Sequence, residues 1–316
     1  MHDEQESPNM DQLLMSKTLL LVSGKGGVGK TAVSAALAYR AKTLGRKVFL
    51  FCCDAPSRLK PYPSGRAIGS SVSEILPALW AVNQPTEEAV HAYLSEAIHS
   101  KKVVDLMFKN KVARAFLQVA PSVGDLAMMG RIYQIATQFE RKHGGVVIVD
   151  MPATGHAVSM LQSPDAIANI LTAGPIYERA KEVTRFFKNE TKTIFSAVTW
   201  PEELPVSEVL ELVDGVRKTG VNLGPVILNG VVKNPLPSVS ESAWQAMKQV
   251  PDFEHHHQWI EYIQSWSKRV VRERLRLQDG LNQRMISANV LVDLPFLSSV
   301  EASSSLGLDL AKTWAG

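Results

Sequence analysis

The chain has 316 residues, 45% of them hydrophobic and 21% charged, with a formal net charge of +3. That length buries an ample core in one large α/β domain or two smaller ones, and so small a charge argues against nucleic acid as a partner. The two cysteines, Cys52 and Cys53, are adjacent, so no disulfide framework is built and a reducing, cytoplasmic compartment suits the chain.

Residues 1–16 are polar and acidic, with Asp3, Glu4 and Glu6 but no basic segment or apolar core. They read as a disordered leader, not a signal peptide. Residues 17–316 read as a single domain without a dividing linker. The apolar run Leu19-Leu20-Leu21-Val22 predicts a strand that ends in Ser23-Gly24. Lys25-Gly26-Gly27-Val28-Gly29-Lys30-Thr31 comes next, and then a run of helix formers from Ala32 to Ala38. Gly24-x4-Gly29-Lys30-Thr31 is the P-loop pattern, and strand before with helix after is the context that confirms it. Glycines there let backbone N–H groups turn inward around phosphate oxygens, and the helix N-terminus adds its positive end. Lys30 would reach the β- and γ-phosphates and the Thr31 hydroxyl would sit on Mg²⁺, so ATP and Mg²⁺ are the expected ligands.

Residues 48–53 form a continuous apolar run, as expected of a parallel strand buried on both faces. The run ends at Asp54, at the strand end where open α/β sheets bind ligands. Residues 61–73 are rich in Gly, Pro and Ser and read as a mobile loop. A short strand at 79–82 is closed by Pro85. The pattern then turns helical from 86 to 143, with breaks expected near Pro121 and Gly130. Met107, Phe108, Met128, Met129 and Ile132 read as the core of this helical insertion, with a groove for an apolar client helix as the alternative.

Residues 146–150 predict the next buried strand, ending in Asp150. An apolar strand ending in Asp is the Walker B arrangement, whose carboxylate orients Mg²⁺ through its water shell. A loop over 151–156 leads into a helix from Ala157, and helical patterns run to Lys188. Strands at 193–199 and 226–228 flank a helix at 206–217, the second strand ending at Asn229-Gly230. Residues 240–250 and 256–281 look helical, with Ser240 as an N-cap. A last strand at 288–294 precedes Pro295-Phe296-Leu297. Strands alternating with helices predict an α/β fold, a doubly wound, mainly parallel sheet with a helical insertion at about 86–143. No apolar run approaches the ~20 residues that span a bilayer, and a soluble protein is expected. Consecutive histidines on a helix diverge, so His255-His256-His257 is not expected to hold a metal.

Lys25 makes the loop more specific, for a second lysine near its start resembles the deviant Walker A class. That class holds the ParA and MinD positioning ATPases, the nitrogenase iron protein and the ArsA family with its tail-anchored-protein targeting factors. Asp150-x-Pro152-Ala153-Thr154-Gly155-His156 resembles the switch II signature of the ArsA family. Thr199-x-Pro201-Glu202 and the segment from Leu204 to Glu208 resemble the stretch after that family's next strand. Asn229 stands where the family presents an asparagine to adenine, and Pro295-Phe296-Leu297 resembles its late nucleotide loop.

The resemblance covers about residues 18–298 and is nearest to bacterial single-domain ArsA-like proteins. It implies an ATPase, working as a dimer with ATP between the subunits and Lys25 touching the partner's nucleotide. It makes Asp54 the switch I aspartate that orients the attacking water, and Gly26, Gly27, Val28, Gly29, Lys30, Thr31 and Ala32 the phosphate cradle. Asp150 becomes the magnesium carboxylate, and Thr154, Gly155 and His156 the switch II sensor of the γ-phosphate. The partner implied is a second copy or a paralogue, together with a membrane transporter or an apolar client protein. Two departures matter. Asp54-Ala55-Pro56 replaces the usual Asp-Pro-Ala, which changes the residue whose φ is fixed, and Ala32 replaces a frequent hydroxyl. No Cys-x-x-Cys or cysteine cluster for arsenite is present, since Cys52 and Cys53 point to opposite faces of a strand. An ATP-binding subunit that needs an active paralogue, and a ParA/MinD-like positioning ATPase, are the alternatives.

Overall fold

Strand β1 (Leu19–Gly24) is buried along its whole length between β5 (Val146–Asp150) and β6 (Thr193–Thr199), both also fully buried. These elements come from a computed structural model that describes residues 10–53, 68–98, 100–110, 121–231, 253–284 and 291–295, with isolated positions between 242 and 249. Burial with period two sorts each strand between two cores. Leu19, Leu21, Val147, Val149, Phe195 and Ala197 face one layer, while Leu20, Val22, Val146, Ile148, Ile194 and Val198 face the other. A strand apolar on both faces must be covered on both, which forces the doubly wound arrangement.

With β2 (Val48–Cys53), β3 (Ser73–Leu76), β4 (Leu79–Gln84), β7 (Val226–Val231) and β8 (Leu291–Pro295), the sheet has eight strands in the order β3-β4-β2-β5-β1-β6-β7-β8. All neighbours are parallel except the β3–β4 hairpin, which closes one edge antiparallel. The predicted α/β class, a doubly wound and mainly parallel sheet, is the fold found.

One face is covered by α1 (Met10–Ser16) and α2 (Lys30–Thr43). Helix α1 corrects the expectation of a disordered leader for residues 10–16, while residues 1–9 lie outside the described residues. Met10, Leu13 and Leu14 are buried, Asp11 takes a two-pronged bond from Arg40 at 2.5 and 2.9 Å, and Arg46 Nη1 donates to Leu14 O at 2.5 Å. The acidic residues that dominate the first positions concealed a short amphipathic turn behind them.

The other face carries α5 (Pro121–His143), α6 (Thr154–Ile170), α7 (Pro175–Phe187), α8 (Glu203–Thr219) and the end of α9 (Phe253–Gln283). Between β4 and α5 lie α3 (Thr86–Ala97) and α4 (Lys101–Lys109), which form a satellite core with α5 and α7 through Val90, Tyr93, Leu94, Val104, Leu126 and Ala180. Gly130 does not break the helix as expected. It lies in the middle of α5, where a Cβ would come within 2.2 Å of the Tyr93 ring, so the glycine serves close packing with α3. Met128, Met129 and Ile132 are buried under the sheet, the core reading of that segment. Helix α6 starts at Thr154, three residues before the expected helix at Ala157. Asp54, Phe296, loop residues 61–67 and most of the helix expected at 240–250 lie outside the described residues.

Candidate nucleotide site

The loop after β1 is shaped by what glycine permits. Gly27 and Gly29 both sit at φ 87°, the left-handed region that favours glycine. A Cβ on Gly24 would lie 2.0 Å from the Val198 carbonyl oxygen, while one on Gly26 or Gly27 would meet no non-neighbouring atom within 4 Å. Gly29 then caps α2 without a side-chain bond, so no capping side chain takes the first-turn N–H groups of that helix. This is a backbone cradle at a helix N-terminus, the form that holds phosphate.

Lys30 folds back across the loop, its Nζ donating to Lys25 O at 3.1 Å. Burial pulls its pKa down, and the Asp150 carboxylate opposes that shift. Thr31 Oγ1 donates to Asp150 Oδ2 at 2.5 Å and Ser34 Oγ to Oδ1 at 3.4 Å. Asp150 is buried, which raises its carboxyl pKa against the opposing pull of Thr31, Lys30 and Ser34. The register that pairs Val22 with Asp150 puts this carboxylate beside the loop.

Among the described residues no group of three His, Cys, Asp or Glu side chains could cage a metal. Magnesium keeps several waters and takes one or two carboxylates plus phosphate oxygens. Thr31 and Asp150 would supply the protein's share of such a shell.

Other predicted residues fall around the same loop. Asn229, buried at the end of β7, donates Nδ2 to Val28 O at 2.9 Å and crowds the Cα of Gly29, so it braces the cradle. Pro295 ends β8, in register with Val231. Ala32 lies in the first turn of α2 and packs on the α2-side core. Lys25 is held within its own chain: Nζ is 2.6 Å from Glu208 Oε1 on α8. Ser23 Oγ donates to Pro152 O at 2.6 Å, tying the end of β1 to the segment after β5.

Thr154, Gly155 and His156 form the first turn of α6, not a loop. His156, its side chain 60% exposed, places Nε2 2.8 Å from Oδ1 of Asp125, whose own side chain is 8% exposed. Ser159 Oγ donates to the other oxygen of Asp125 at 3.0 Å. The sequence reading missed Asp125. A lone acid in the apolar stretch Val123-Gly124-Asp125-Leu126-Ala127-Met128 was the signal, since a buried carboxylate requires partners. Cys52 is buried, its thiol pKa raised by desolvation, and Cys53 is half-exposed on the opposite face.

Residues 17–175 match the family model described as anion-transporting ATPase. The ATPase BagA of Mycobacterium tuberculosis is 26% identical over 220 residues, 67% of this chain and 64% of that protein. The arsenical pump-driving ATPase of Escherichia coli is 25% identical over 246 residues, covering 76% of this chain and 40% of its own length. The ATPase GET3 of Malassezia globosa is 22% identical over 276 residues, 76% of this chain and 81% of that protein. The match therefore spans a little under two thirds of the mycobacterial relative.

Proposed function

The chain belongs to the ArsA family of anion-transporting ATPases, and from that premise we propose that it is an ATP-hydrolysing switch that works as a dimer. The observation that carries this reading is the cradle itself: left-handed glycines, an uncapped α2 N-terminus, Lys30 laid across the loop and Thr31 paired with Asp150. Family membership and geometry support the same substrate, ATP, on the same residues.

Phosphoryl transfer asks the protein for positioning and charge, not covalent chemistry. The N–H groups of Gly27 to Thr31 hold the phosphates, and Lys30 exchanges its bond to Lys25 O for the β- and γ-oxygens. Thr31 and Asp150, already paired at 2.5 Å, are the residues that would hold a magnesium ion, which would supply positive charge to neutralise the departing phosphate oxygens. Asp54 orients the attacking water, and the partner subunit's Lys25 adds positive charge at the γ-phosphate. Asn229 keeps the loop in shape while flanking the base, with Pro295 and Phe296 beside it. His156 senses the γ-phosphate and passes its position to α5 through Asp125. The output is conformational and serves a client's handling or membrane delivery, or drives a transporter, as the name of the Escherichia coli relative says of that protein.

The test is the Mg-ATPase rate per molecule across a range of protein concentration, with Asp54→Asn as control. Specific activity that climbs to a plateau, with the variant reduced by about 100-fold or more, is the expected result. A rate that stays at background at every concentration, although nucleotide binds, sinks the homodimeric enzyme. The transposed Asp54-Ala55-Pro56 favours one second reading, an ATP-binding subunit completed by a paralogue, and that outcome would point to it.

A further inference from the structure

Far along α5 from Asp125, the helix and the sheet edge leave a cleft of about 280 Å³. Its floor is aromatic. Trp80, on β4, stacks on His143 with ring centres 5.0 Å apart and 22° between planes, and meets Phe139 edge-on at 5.6 Å. Its rim is basic and comes from the same helix face, since Arg131, Gln138 and Lys142 follow at spacings of seven and four residues.

Among the described residues the cations of this rim have no acid of their own. Arg131 is steered by two neutral amides, its Nε donating to Gln84 Oε1 at 3.3 Å and its Nη1 to Gln134 Oε1. Its Nη2 has no protein acceptor among the described residues, and neither Arg131 nor Lys142 forms an ion pair there. The carboxylate whose field reaches Arg131 is Glu96, and it already accepts from Arg179 at 2.5 Å. The one whose field reaches His143 is Glu74, and it already accepts the Ala78 N–H at 2.9 Å. Elsewhere on this molecule half-buried guanidinium groups are matched by carboxylates, as Arg40 by Asp11, Arg179 by Glu96 and Arg284 by Asp214, or, in Arg46, taken up by the carbonyls of Leu14, Gly144 and Gly145. A guanidinium held in place by neutral groups with one edge free is arranged to receive a planar anion. The volume is near the small end of ligand pockets, about 300 Å³, and far too narrow for a helix about 10 Å across.

We propose that this cleft binds a small aromatic anion of the aryl carboxylate class, its ring against Trp80 and Phe139 and its carboxylate on Arg131 Nη2 and Lys142. Aromatic floor and cationic rim each exclude something. A simple inorganic anion would leave the rings bare, and a neutral ring would leave two charges unmatched. The site stands apart from the phosphate cradle and does not rest on the ATPase reading.

The experiment is calorimetric titration of the intact chain, without nucleotide, against 2-naphthoate, 2-naphthamide and 2-naphthylmethylammonium. Saturable one-to-one binding of the carboxylate is expected, with the amide weaker by about tenfold or more because one charge-assisted hydrogen bond is lost. Arg131→Gln should weaken naphthoate binding by about tenfold or more. Lys142 is exposed, so Lys142→Gln and Lys142→Glu report on the rim even where Arg131→Gln disturbs folding. They should weaken binding in that order. Equal binding of all three probes, no heat with millimolar naphthoate, or binding indifferent to both Lys142 variants would each overturn the proposal.

Discussion

At the residue scale, the site stores cost in the nucleotide-free chain. Asp150 is a buried carboxyl whose pKa is raised, chiefly by desolvation, and Lys30 an ammonium whose pKa burial lowers. The signs come from linkage. An acid with a raised folded pKa keeps a proton that the unfolded chain has already released, so its contribution favours folding at low pH and is lost as pH rises through the raised value. A base with a lowered folded pKa favours folding only above its ordinary range, so at neutral pH Lys30 also costs stability. Phosphate and magnesium would relieve both, which is why such a pair is tolerated. Asp150→Asn should therefore raise the melting temperature of the nucleotide-free chain at pH 7 by about 1–3 °C. The gain should fade as pH falls from the raised value of Asp150 into the ordinary carboxylate range, and be gone below it. The same variant should gain less than the parent from added Mg-ATP, and scanning calorimetry with and without nucleotide checks both halves. A variant that melts lower without nucleotide would mean that the bonds from Thr31 and Ser34 outweigh the burial of charge.

At the element scale, packing decides what local propensity could not. A glycine in a helix interior ordinarily costs about 1 kcal/mol against alanine, so Gly130 read as a break. The Tyr93 ring at 2.2 Å from its absent Cβ reverses that sign. Gly130→Ala should destabilise the chain by about 1–3 kcal/mol through overpacking, measured by urea unfolding. A stabilised variant would show that Tyr93 can step aside. The central strands were legible in advance because 19–22, 48–53 and 146–149 are apolar without alternation, as a doubly covered sheet requires. The P-loop was legible because spacing and context coincide. Less was legible where a partner from far along the chain settles the matter. Helix α1 depends on Arg40 and Arg46, the first turn of α6 on Ser23 and Asp125, and the brace at Asn229 on Val28. Asp125 also carries a prediction of its own, since it spans α5 and α6 with both oxygens. Asp125→Ala should leave ATP affinity within about threefold, as no contact to the cradle is lost. It should blunt the nucleotide-dependent change in amide exchange over α3 and α4. If that change persists at full size, the link from His156 into the insertion runs elsewhere.

At the scale of the whole molecule, the question is how one chain could hold a lysine ready for another. Lys25 and Glu208 are both about one third exposed and 2.6 Å apart, and such a pair contributes only about 0–1 kcal/mol. A contact that weak can hold the side chain clear of the chain's own nucleotide and still surrender it to a partner's phosphates, where the charge is larger and water scarcer. Glu208 sits on α8, which packs on α6, the helix whose first turn is Thr154, Gly155 and His156. Under the dimeric reading the pair is a competitor of dimerisation, and removing the acid should ease assembly. Glu208→Gln should lower the protein concentration that gives half-maximal ATPase activity by about two- to fivefold, the span that ~0.5–1 kcal/mol allows, with the plateau little changed. Lys25→Gln should instead depress the plateau itself while ATP binding to the single chain is kept. A Glu208→Gln curve that overlays the parent would leave the pair as a surface contact without bearing on assembly. A Lys25→Gln enzyme with a normal plateau would remove the lysine from the chemistry altogether, and with it the reason for placing two nucleotides face to face.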